Sequence, residues 1–449
     1  MSNAPEKTTL VPPQAPDAEG AVRFTPHPLR AAILGEVHAR PFTAIAVPSR
    51  ILHFAFDTGG GRAQADRANL VSFCGGRGLT APLPAEKHHR VAFGATVLRW
   101  EQHSEFTTYT WEMPAPEDQT PFHPDAASLV SLMQLVPQPG PLLAAIDLCL
   151  MRDDPQRAVP ERLFDRASLA AAENSDGLAL YATDFRPDPA GFIRILIVDR
   201  GLGPERAGAL VQRVIEIETY RTLALLGLPE AQRVAPSIGK IEQRLAEVTE
   251  AMKGAGDLAA NRGLLDELTA LAAEVEAGAA ATGYRFSATR AYNDIVQQRL
   301  QTIGETKVKG LPTWSSFLAR RMKPATQTCA AIEARQANLS VKLARAANLL
   351  RTRVDVALED QNQQLLQSMN RRTRLQLRLQ TTVEGLSVAA ITYYVVALFS
   401  YVAKAAHEAG LVRIEPGYAT AVFVPVAALS IWLIVRRIRS KHIPGEERD

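Results

Sequence analysis

The C-terminal end of the chain constrains its fold more than any other part. Val383–Ala403 and Tyr418–Val435 are two almost wholly apolar runs. As helices of about 18–21 residues each matches a hydrocarbon core of about 30 Å. Arg371, Arg372, Arg374 and Arg378 precede the first run, and Arg436, Arg437, Arg439 and Lys441 follow the second. The connecting loop, Lys404–Gly417, sets Lys404 and Arg413 against Glu408 and Glu415. Cationic flanks stay in the cytoplasm, so the pattern predicts a multi-pass hairpin with both outer ends cytoplasmic and residues 404–417 outside. The bilayer is therefore the first expected partner.

At 449 residues the chain is long enough for two or three domains. Its 50 basic and 47 acidic side chains leave a net charge of +3, which argues against a nucleic-acid partner. Cys74, Cys149 and Cys329 are far apart and form no paired motif. They suit a reducing compartment and offer no zinc spacing. Residues 1–23 are rich in Pro, Ala and acids and read as a disordered leader, not a secretory signal.

Residues 24–229 mix strand and helix patterns and are expected to form an α/β or α+β head on the cytosolic side. Thr43–Val47 and Ile51–Phe56 read as short strands. Val91–Glu101 and Phe106–Met113 read as a β-hairpin, and Leu178–Phe185 and Phe192–Asp199 as two further strands. Ala63–Phe73 is helix-compatible. A strong helix is predicted over Glu205–Leu226, ended by Gly227 and Pro229. From Pro236 strands disappear, and residues 236–380 read as a helical stalk. Within it Gly304–Pro324 interrupts the pattern, and Ala325–Gln380 reads as one long helix. Leu339, Leu343, Ala346, Leu350, Val354, Leu358, Leu365 and Met369 form a coiled-coil-like stripe on that helix, which needs partner helices. Spans 383–403 and 418–435, the loop 404–417 and a basic tail 436–449 complete the order.

Glu36, His38 and Arg40 alternate along Gly35–Phe42, so an extended backbone would project them from one face. Carboxylate, imidazole and guanidinium together suit anion binding or proton handling. Arg99, Glu101 and His103 repeat the alternation and read as a solvated strand face. His88-His89 lacks further ligands at metal spacing, so no metal site is expected. Gly59-Gly60-Gly61 and Gly75-Gly76-Arg77-Gly78 match no phosphate-binding fingerprint and read as turns. No cofactor is expected. No nucleophile elbow appears, and Cys149 reads as a buried apolar residue, so nothing nominates an enzyme. In the first span, Glu384, Ser387 and Tyr394 are polar positions; Glu384 lies near the interface, where a carboxylate is tolerated.

Pro28–Phe42, Ile217-Glu218-Thr219-Tyr220-Arg221 and Thr382-Val383-Glu384-Gly385-Leu386-Ser387 together resemble the bacterial domain-of-unknown-function 3422 family. The resemblance covers nearly the whole chain except the leader. It implies a bacterial membrane-anchored protein and, with the charge pattern, the inner membrane. It carries over no catalytic residues. The order of head, long helices and two C-terminal spans is also similar to the CorA magnesium channels, which are homopentamers. Their Gly-Met-Asn signature is replaced here by Ser400-Tyr401-Val402-Ala403-Lys404, and Lys404 would repel a divalent cation. The sequence therefore predicts a non-enzymatic membrane-anchored protein that assembles with itself or with a cytosolic protein partner. A divergent CorA-like channel or transporter is the alternative.

Overall fold

A computed structural model describes residues 27–30, 33–34, 42–84, 86–411 and 413–442. Two compact units emerge: Met1–Gln243 with Ala273–Val341, and Arg244–Ala272 with Lys342–Asp449.

The first unit is built on a nine-stranded mixed sheet. In chain order its strands are β1 (Ser49–Asp57), β2 (His88–Phe93), β3 (Thr96–Gln102), β4 (Phe106–Pro114), β5 (Leu142–Arg152), β6 (Ala170–Glu173), β7 (Ala179–Thr183), β8 (Ile193–Asp199) and β9 (Thr306–Lys307). Their spatial order is β2-β3-β4-β1-β5-β8-β7-β6-β9. β5 and β8 run parallel and the remaining pairs antiparallel. The helices are α1 (Arg62–Gly75), α2 (Pro204–Leu225), α3 (Gly227–Gly254), α4 (Leu258–Ile303), α5 (Trp314–Glu408) and α6 (Pro416–His442), besides single turns such as Ala126–Leu129 and Pro160–Leu163.

Strand alternation gives each sheet face its own core. Ile51, Ile146, Leu148, Ile195 and Ile197 pack against Leu210, Val214 and Ile217 of α2. Val296 and Leu300 of α4 and Trp314, Phe317 and Met322 of α5 join the same cluster. On the opposite face Leu52, Phe54, Trp100, Tyr109 and Trp111 pack against Leu70 and Phe73 of α1. Asp66 of α1 anchors that aromatic layer, accepting hydrogen bonds from Tyr109 Oη (2.6 Å) and Trp100 Nε1 (3.0 Å). Burial lifts its carboxyl above the usual range while those bonds pull it down.

Several sequence expectations move. Val91–Glu101 is two strands because the chain turns at Gly94, whose φ of 63° suits a residue without Cβ. Thr43–Val47 forms no strand of the sheet. It crosses α2 where a Cβ on Gly208 would stand 1.8 Å from the Thr43 carbonyl oxygen, and Ile45 N–H donates to Pro204 O instead of to a ladder. Gly227 and Pro229 break the helix at Leu226 alone. α3 restarts at once, because proline in a first turn sacrifices no intrahelical hydrogen bond. Pro236 and Pro324 lie inside α3 and α5. β5 and β6 were not among the expected strands, the latter being the alanine run Ala170-Ala171-Ala172.

In the second unit Leu245, Val248 and Met252 of α3, Leu268 of α4, and Leu343, Leu350 and Val354 of α5 are buried. Arg353 Nη1 caps this packing by donating to Met252 O at 2.6 Å. The predicted stripe splits here: Leu339 to Val354 is buried, Leu358 half-buried, Leu365 and Met369 exposed. Val383–Ala403 falls inside the uninterrupted helix α5. The helix stops at Gly410, whose positive φ lets Leu411 N–H return to Ala406 O. α6 then returns, with Phe399 stacked on Phe423 at 3.9 Å between centroids.

Candidate functional site

A cleft of about 380 Å³ opens at the sheet end where β1 begins and β4 and β5 finish. β5 and β8 end there side by side, Arg152 opposite Asp199, and loops past the carboxyl ends of parallel strands are a favoured position for ligand sites in sheets of this kind. Its lining comes from Ser49 and Arg50, from the loop after β4 including Glu117, from Arg152 at the end of β5, and from Asp153 and Arg157 beyond it.

The floor of the cleft is a buried ion pair. Arg50 and Cys149 are direct cross-strand neighbours, which brings the guanidinium diagonally onto Asp147. Arg50 Nε donates to Asp147 Oδ1 at 2.8 Å and Nη2 to Oδ2 at 2.7 Å. A two-point bond of this geometry is among the stronger side-chain contacts. Burial raises the Asp147 carboxyl and its bond to Arg50 opposes that rise. Arg50 Nη1 also donates to Pro124 O, tying the loop over the sheet end. In that loop Phe122 adopts φ 60°, a region costly for a bulky residue. The surroundings hold it there: its ring meets Phe164 edge-on, Arg194 stacks over it, and its N–H donates to Cys149 Sγ at 3.3 Å. Burial pushes the Cys149 thiol up to about 12, so it stays protonated and behaves as packing. The rim charges are mutually engaged: Arg152 with Glu117, Arg157 with Asp154, Arg200 with Asp153. These pairs lie at the surface, where solvent screens them, so a charged ligand can exchange into them at small cost.

A second polar group lies between the sheet and α2. His53, Arg99, Glu101, His103 and Thr108 face Gln212, Glu216 and Thr219 of α2 around a small chamber. This corrects the solvated reading of the Arg99 face: α2 covers it and Arg99 is buried. Thr219 Oγ1 donates to Ile215 O (2.9 Å), so it accepts from His53 Nε2 (3.1 Å), leaving Nδ1 to accept from Thr110 Oγ1 (2.8 Å). His53 is therefore neutral, and burial, with Arg99 nearby, pushes it down to about 3.

Glu36, His38 and Arg40 lie outside the described residues. His88 faces Glu101 at 3.9 Å, and His89 bonds Thr80 O at 2.8 Å. No group of metal-ligating residues occurs among the described residues. Arg371, Arg372, Arg374 and Arg378 are exposed on α5. On α6, Arg436 stacks over Trp432, and Arg439 and Lys441 fall in the same helix. Glu384 accepts from Gln380 Nε2 at 3.1 Å, Ser387 Oγ donates to Val383 O at 2.9 Å, and Tyr394 is exposed beside Tyr393. Sequence reading missed the Arg50–Asp147 pair. A charged residue in each of two strands was the only signal, and pairing them needed the register.

The sequence model of one family matches residues 25–442. Its description is "Protein of unknown function (DUF3422)". The chain belongs to this family. No curated protein matches the chain. Across the DUF3422 match lie both the nine-stranded sheet and the two apolar helices. Among the described residues, two helices are long and apolar enough to cross a membrane.

Proposed function

We propose that this DUF3422 chain is a membrane-anchored protein that works by binding and assembly at the cytoplasmic face of the bacterial inner membrane. One observation carries the reading: in the first apolar window of α5 no residue is buried, and in that of α6 almost none is. An apolar helix of that length left uncovered by its own chain finds its favourable solvent in lipid. The arginines at 371–378 and 436–437 supply anionic-headgroup contact, about 1 kcal/mol each near the surface, and set both outer ends in the cytoplasm. On this reading the chain divides into a sheet-based head, a helical stalk and a two-helix hairpin. The exposed Leu365, Leu366 and Met369 then take part in self-association, and the cleft above Arg50 receives a cytosolic protein partner.

Alkaline carbonate washing of membranes tests the anchor, and the protein should remain in the pellet. A reporter fused after Asp449 should be active only in the cytoplasm. Extraction by the wash, or labelling of the C-terminus from outside intact cells, overturns the reading. Native mass spectrometry in detergent should show a homo-oligomer. Cation flux through proteoliposomes would replace anchor with channel.

A further inference from the structure

We propose that Arg99 and Thr108 form a binding site for a single small anion of halide size. Arg99 rises from β3 and Thr108 from β4 on the sheet face beneath α2, and both line the chamber described above. Arg99 is only 4% exposed, yet its Nε has no hydrogen-bond partner, and its one bond is from Nη1 to the neutral amide oxygen of Gln212 at 3.3 Å. Thr108 Oγ1 is also buried without a partner. The chamber thus presents two unsatisfied donors, one of them on a guanidinium.

Two carboxylates, Glu216 and Glu101, line the chamber, yet neither is bonded to Arg99. No carboxylate of the described residues forms a salt bridge with Arg99. Glu216 lines the chamber, but its Oε1 accepts from Gln212 Nε2 at 3.0 Å and its Oε2 from Arg299. Glu101 also lines it and sits against His88 at 3.9 Å on β2. His53 is neutral and both its nitrogens are engaged by Thr110 and Thr219, so it neither competes for the anion nor repels it. His103, stacked on Phe106, closes one side. A buried guanidinium without a counter-ion is strongly unfavourable, and an anion accepting from Arg99 Nε–H and Thr108 Oγ–H relieves it. Size decides the class: the chamber holds about 20 Å³, slightly more than the roughly 10–15 Å³ one water needs. Phosphate, sulfate and organic acids are too large to enter whole.

The experiment uses the full chain in detergent. Thermal unfolding is followed in sodium chloride and in sodium gluconate at equal ionic strength, which removes general screening from the comparison. Chloride should raise Tm by about 3 °C with a saturable dependence. Arg99→Gln should abolish that response. Thr108→Val, which keeps shape and removes the hydroxyl, should weaken it and decides the matter if Arg99→Gln fails to fold. Crystals grown in bromide should show an anomalous peak between Arg99 and Thr108. Equal Tm in the two salts, or no bromide peak at that position, overturns the proposal and leaves a buried water as the occupant.

Discussion

The two faces of β1, β3 and β4 follow opposite rules within the same strands. Toward α1 they show Leu52, Phe54, Phe56, Leu98, Trp100, Tyr109 and Trp111, a dry aromatic layer. Toward α2 the alternate positions are His53, Arg99, Glu101, Thr108 and Thr110, most of them equally hidden. The first face explains stability by area and edge-to-face ring contacts such as Phe73 on Trp111. The second gives up that stabilisation, and its bonds are satisfied only in part. A chain under selection for stability alone would fill this layer with valine and leucine, so the polar face is where ligand chemistry is to be sought.

Breaking the dry face should have the largest effect. Trp100→Ala removes a fully buried indole and leaves Asp66 with one donor fewer, and should cost about 3–5 kcal/mol in chemical denaturation. A loss under about 1 kcal/mol would show that the aromatic layer is not close-packed. Asp147→Leu, further along the same side of the sheet, strands the Arg50 cation and should cost a similar 3–5 kcal/mol. The double variant Arg50→Met with Asp147→Leu should recover most of it. Additive losses would mean that Pro124, not Asp147, holds Arg50.

The polar face is sharpened by pH. His53 titrates near 6.5 when unfolded and at about 3 when folded. Between those values the unfolded chain binds a proton that the folded chain excludes. Stability from this residue is therefore complete above pH 6.5 and falls as pH drops toward 3, by about 1.4 kcal/mol per unit. The difference in slope between wild type and His53→Gln measures it, and parallel pH profiles would place His53 in contact with water. The smallest effect concerns the helical stripe: Leu343, fully buried, and Leu365, 55% exposed, share one heptad-like line. Leu365→Ala should change stability of the isolated protomer by under about 0.5 kcal/mol, while Leu343→Ala costs about 2–5 kcal/mol. A large loss at Leu365 in the detergent-solubilised oligomer would locate a self-association contact there.

Much of the helical architecture was legible because its signals are local. Ala63–Phe73, the α2 pattern and the two apolar runs each announce themselves by spacing or by length. Strand pairing was harder. Val91–Glu101 looked continuous because Gly94 is a single residue in a β-branched context, and Ala170-Ala171-Ala172 carries no strand preference at all. The Arg99 face was misread for a different reason. Alternating charge is what a solvated strand shows, and nothing in β3 itself says that α2, more than a hundred residues later, lies across it.

By itself the sequence determined the two candidate spans, their cationic flanks and the long helices, because hydrophobic length and 3.6-residue periodicity act over one or two turns. Only the tertiary structure decided which charges are buried, since burial is a property of what crosses a strand and not of the strand. Arg50 on Asp147, His53 between two threonines, and Arg99 under Gln212 come from segments that meet only when the sheet is assembled.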